Sequence, residues 1–127
     1  MPFFEWTDDL DTKVSAMNDE HKELIKLMNR LYDLNKEGVA KSDLQQAFSD
    51  LANYTIKHFS DEEAYMESIN YEKLVVHKRI HEELLKKVTE FKEKFDQPDG
   101  KLDDSFFNFL SMWLSSHIRG IDIQYGQ

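Results

Sequence analysis

The chain has 127 residues, 40% of them hydrophobic, with a formal net charge of −9 and no cysteine; that size suits one domain over 1–127 with one core. The acidic balance without a Lys/Arg cluster argues against a nucleic-acid partner, and the missing cysteines exclude disulfides, iron–sulfur clusters, thiolate zinc sites and cysteine nucleophiles. No apolar run approaches the ~20 residues that span a bilayer, and Met1-Pro2-Phe3-Phe4-Glu5-Trp6 lacks the basic-then-apolar form of a signal peptide, so no membrane insertion and a cytoplasmic location are expected.

Residues 1–16 show no helical period but carry Phe3, Phe4, Trp6, Leu10 and Val14, enough apolar surface to lie along the rest of the chain as a packed arm. The first helix is expected over Met17–Glu37, with His21, Leu24, Met28 and Leu31 at helical spacing and Gly38 as its stop. The second, Ser42–Ile69, places Leu44, Phe48, Leu51, Thr55, His58, Glu62, Tyr65 and Ile69 on one seam. The third, Tyr71–Phe95, aligns Leu74, His77, His81, Leu84, Val88, Phe91 and Phe95 and stops at the turn Gln97-Pro98-Asp99-Gly100. The fourth follows Asp103-Asp104, turns Phe106, Leu110, Trp113 or Leu114, and His117 inward, and ends near Asp122. Residues 123–127 form a short tail. Short connections favour antiparallel neighbours, hence an all-α, up-down-up-down four-helix bundle over 17–122.

All five histidines fall on these inner seams. One histidine on an apolar seam is ordinarily a satisfied core residue. Five imidazoles with a carboxylate, left without strong partners, would cost on the order of 1–3 kcal/mol per unsatisfied group, comparable in sum to the stability of a small domain. A metal cluster would compensate them. His58 and Glu62 form an HxxxE pair and His77 and His81 an HxxxH pair, each projecting from one helix face. His117 and Asp122 are five apart, about 140° around an ideal helix, so their convergence needs side-chain reach or a turn loosened near Gly120. Glu63, Asp61 and Glu67 are expected to face solvent or a helix boundary, without a role. Imidazole suits zinc, copper, nickel or iron, so ligand type leaves the metal open. The number of donors exceeds a structural zinc site and suits two adjacent ions bridged by carboxylates.

With Trp6 in the arm, Asn18-Asp19-Glu20-His21-Lys22, His58-Phe59 followed by Glu62-Glu63, His77 with His81, and Trp113-Leu114 before His117-Ile118 and Asp122, nearly the whole chain resembles the hemerythrin family in its single-domain bacterial form. The resemblance implies a non-haem di-iron centre: His77, His81 and His117 on one iron, His21 and His58 on the other, Glu62 and Asp122 shared. It also implies a bridging oxo or hydroxo group, an Fe²⁺/Fe³⁺ couple, dioxygen as ligand at the iron with fewer imidazoles, and Leu114 beside it. The sequence departs from the family pattern at Asn18 and Glu20, where Asp and Gln are common, which bears on hydrogen bonding around the ligands.

The function so implied is reversible dioxygen binding for carriage, storage or delivery. One alternative is an oxygen or redox sensor acting through a separate signalling or oxygen-consuming partner, because only five residues follow Asp122. Another is a di-iron enzyme reducing peroxide or nitric oxide. No nucleophile-and-base constellation stands out, so an enzyme is not expected.

Overall fold

The computed structural model describes residues 3–126; Met1 and Pro2 of the expected arm and Gln127 of the expected tail lie outside them. Four helices follow one another: α1 (Ser15–Glu37), α2 (Lys41–Ser68), α3 (Leu74–Asp96) and α4 (Asp104–Gly120), with 3₁₀ turns at Asp8–Leu10 and Asp122–Gly126. They form an antiparallel up-down-up-down bundle, and no strand occurs among the described residues. No helix among them is long and apolar enough to cross a membrane.

Local chemistry sets the boundaries. α1 closes on Gly38, whose φ of +72° is the left-handed conformation that lets its N–H reach the Asn35 carbonyl. α4 opens on Asp103, whose carboxylate accepts from the Phe106 N–H at 3.3 Å, satisfying one of the free amides of the first turn. The second seam ends earlier than the apolar spacing implies. Ile69 lies outside α2 and is 42% exposed, while Met66 is fully buried in its stead. Tyr71 likewise precedes α3, in a turn that includes Asn70 at φ +53°. Both differences arise because the chain must reverse between two long helices, and the reversal takes up the last seam position.

In such a bundle the N-terminal halves of α1 and α3 lie level with the C-terminal halves of α2 and α4. At one level Phe48, Phe95 and Phe106 stack, with centroids 6.0 and 5.1 Å apart, inside a core that also buries Leu24, Met28, Leu31 and Leu110. The other level receives the histidines. A smaller apolar cluster of Met17, Met66 and Tyr125 lies apart from the main core. The arm packs as expected: Phe3, Phe4 and Trp6 lie against the main core, and Asn29 pairs with both backbone groups of Phe4 at 2.8 Å.

Candidate metal centre

His21, His58, His77, His81 and His117 are all buried, as are Glu62 and Asp122. The bundle brings them together from all four helices and the second 3₁₀ turn. Their donor atoms form two overlapping groups, Glu62–His77–His81–His117–Asp122 and His21–His58–Glu62–Asp122, each within 4.8 Å. Glu62 and Asp122 belong to both.

The two carboxylates divide their oxygens between the groups. Glu62 Oε1 lies 3.2, 2.8 and 3.9 Å from Nε2 of His77, His81 and His117, whereas Oε2 lies 3.5 and 3.4 Å from Nε2 of His21 and His58. Asp122 Oδ1 is 3.0 Å from both His77 and His117 Nε2, and Oδ2 is 3.0 Å from His21 Nε2. Nε2 of His21, His77, His81 and His117, Glu62 Oε1 and both Asp122 oxygens are buried without a hydrogen-bond partner. Orphaned donors of this kind are rare in folded proteins. Nitrogen and oxygen atoms converging around two points are the donor set of two borderline cations sharing carboxylates, so the residues fit a pair of metal ions.

The electrostatics follow from burial against mutual attraction. Burial opposes charge on His58, yet its bonds to Glu20 and Glu62 outweigh it and raise the pKa to about 9. For His117 burial is outweighed by the Asp122 charge and by Glu62, again to about 9. His77 is raised in the same way, against burial, by Asp122 and Glu62. Burial would favour protonation of Glu62, but His117, His21, His58 and His77 hold it well below the usual carboxylate range. Asp122 is pushed up by burial and by Glu62, and His117 and His21 outweigh both and hold it down. The cluster therefore presents anionic carboxylates to imidazoles, an arrangement in which cations replace protons on metal uptake.

Asp122 reaches the cluster by a route that helical spacing does not describe. α4 ends at Gly120, Ile121 leaves the helical region at φ −122° and ψ −58°, and Asp122 opens the 3₁₀ turn. The expected loosened turn is thus a complete break after Gly120, with the Ile121 N–H still closing on the His117 carbonyl at 2.9 Å. Gly120 needs no special space, since a β-carbon there would meet nothing within 4 Å. Nor is the segment after Asp122 a mere tail. Tyr125, one 3₁₀ turn on and therefore on the same side, is buried and donates its hydroxyl to Glu62 Oε2 at 2.8 Å. Burial, then the Glu62 and Asp122 charges, push that phenol far above its ordinary value, so it stays a donor.

Two further acids lie close to the imidazoles. Glu20 Oε1 is 2.7 Å from His58 Nδ1, and Glu63 Oε2 is 2.8 Å from His81 Nδ1. Glu63 was expected to be idle; it misses the inner seam by one residue, about 100° around the helix, and that offset aims it across to α3. The same offset carries Glu20 from α1 to α2. An acid directly beside a seam donor was the available signal. Aromatic rings complete the wall: Phe59 lies parallel to His81, 3.8 Å between centroids, and Trp113 meets Phe59 edge-on at 5.9 Å. Leu114 is buried in the main core one turn before His117.

Residues 12–126 match the family model of the hemerythrin HHE cation binding domain. A bacteriohemerythrin of Pseudomonas aeruginosa (strain LESB58) is 33% identical over 120 residues, 94% of this chain and 77% of that protein. One from Clostridium acetobutylicum is 33% identical over 126 residues, 96% of this chain and 98% of its own length. A myohemerythrin of Riftia pachyptila is 32% identical over 120 residues, covering 94% and 88%. A crystal structure of wild-type hemerythrin matches with a TM-score of 0.90 at 27% identity, over 97% of this chain and 95% of that one. The chain belongs to the hemerythrin family.

Proposed function

We propose that the chain holds two iron ions in this cluster and binds dioxygen there reversibly, for carriage, storage or delivery to an oxygen-using partner. His77, His81 and His117 would hold one ion, His21 and His58 the other, with Glu62 and Asp122 shared between them. The observation that carries the reading is the division of both carboxylates, each with one oxygen toward each histidine set. When bound, an iron pair supplies two adjacent one-electron centres, so dioxygen can accept two electrons on uptake and return both on release.

The chain's own residues favour return over consumption. The His21–His58 side has one imidazole fewer, which leaves that side open to a small added ligand. Phe59 and Trp113 are buried against the ligand imidazoles, and we assign Leu114 the role of excluding water and protons from the bound ligand. An apolar groove of about 360 Å³ between α3 and α4, lined by Ile80, Leu84, Phe109 and Met112, touches His117 on the three-imidazole side. The other buried hydroxyls are engaged elsewhere: Thr55 donates to the Leu51 carbonyl at 2.8 Å, and Thr12 bonds Asn18 at 2.8 Å. Tyr125 is the buried hydroxyl at the cluster, and burial with the Glu62 and Asp122 charges keeps it a donor to Glu62.

The test is to load the protein with iron, reduce it, admit oxygen and then lower the oxygen pressure while following visible absorption. Two irons per chain and recovery of the reduced spectrum through repeated cycles are expected. Irreversible oxidation, with oxygen consumed at each cycle, would favour the peroxide or nitric oxide enzyme.

A further inference from the structure

Each half of the cluster contains one imidazole that is tied from behind. His58 is held at Nδ1 by Glu20 at 2.7 Å and His81 at Nδ1 by Glu63 at 2.8 Å. By contrast, Nδ1 of His21, His77 and His117 is buried without a hydrogen-bond partner. The two tied rings flank the two ends of one carboxylate, His58 Nε2 being 3.4 Å from Glu62 Oε2 and His81 Nε2 being 2.8 Å from Glu62 Oε1.

A carboxylate only accepts, so at each contact the ring must donate through Nδ1–H. That fixes the tautomer with the Nε2 lone pair pointing into the cluster, and a carboxylate behind the ring also makes Nε2 a stronger donor. The two acids reach their rings from different helices: Glu20 on α1 crosses to α2, and Glu63 on α2 crosses to α3. No hydrogen bond or ion pair joins one acid to the other.

Resting on the two-ion reading above, we infer that Glu20 and Glu63 are separate positioning residues, Glu20 for the ion of His21 and His58 and Glu63 for the ion of His77, His81 and His117. Each acts through a single anchored imidazole, so each governs one ion without governing the other.

The experiment titrates the metal-free full chain with Co²⁺, following heat and visible absorption, and repeats it with His58→Ala and His77→Ala to identify which binding step belongs to which ion. Glu20→Ala should weaken by about 10–100-fold the step that His58→Ala removes, and Glu63→Ala the step that His77→Ala removes, the other step staying in place. Glu20→Gln and Glu63→Gln retain an acceptor and should show a smaller loss on the same step; these isosteric variants carry the test if an alanine variant does not fold. Equal weakening of both steps by either substitution, or no weakening by any, overturns the inference. Wild-type protein taking up fewer than two Co²⁺ would overturn the two-ion reading itself.

Discussion

Single side chains at this centre differ in what their loss should expose. His58 is one of two imidazoles on its side and His77 one of three, so His58→Ala and His77→Ala are expected to behave unequally. The first should abolish the oxygen response before the second does, and equal metal retention with equal response in the two would contradict the proposed division. Leu114 lies in the core with no polar partner. Leu114→Ala is expected to cost about 2–5 kcal/mol of stability and to hasten oxidation of the iron without changing iron content; an unchanged oxidation rate would return Leu114 to ordinary packing. Tyr125→Phe removes one hydroxyl from a buried carboxylate. It should lower stability by about 1–3 kcal/mol, read as a fall in Tm with unchanged far-UV circular dichroism.

Whole elements were legible in the sequence where their period was long, and illegible where it was short. α1 to α4 each repeat their apolar spacing over several turns, and the five histidines lie on those repeats, so the bundle and six of the seven clustered donors follow from spacing. The segment Asp122–Gly126 is too short to show a period, and a seam reading looks past flanking positions such as Glu20 and Glu63. Spacing therefore set Asp122 about 140° from His117 and convergent only through a loosened turn, family resemblance made it a shared ligand, and Tyr125 did not come at all. The structure shows what holds this segment. A β-carbon on Gly126 would stand 1.6 Å from the Thr12 carbonyl oxygen, and Arg119 pairs with Asp9 at 2.9 Å. Gly126→Ala is accordingly expected to displace the 3₁₀ turn and weaken metal retention while helicity persists. Gly120→Ala, with open space around it, should be neutral or stabilise by up to about 1 kcal/mol. Similar metal loss in the two variants would show that the contact with Thr12 is not what seats Asp122.

For the molecule as a whole, the stacked phenylalanine layer and the metal centre occupy different levels of one bundle, so metal removal should act on one end. Cations bind only the folded arrangement of donors, and their loss removes that linkage stabilisation and leaves the buried nitrogens and oxygens unsatisfied. Chelation is expected to lower Tm and to release hydrogen-exchange protection first around His21, His77 and Tyr125. The stacked level of Phe48, Phe95 and Phe106 should stay protected. Uniform loss of protection would mean that the two levels unfold as one unit.

The close approach of Gly126 to Thr12 joins two stretches that stand at opposite ends of the described chain. Residues 3–12 supply no donor to the cluster, yet Thr12 abuts the turn that carries the last carboxylate. Asp8 and Asp9 are exposed there, so a protease could nick the arm and leave every helix whole. Such a cut would surface as bleached colour and poor iron retention in a preparation whose helix content looked intact, and a fusion partner joined ahead of the arm carries the same hazard.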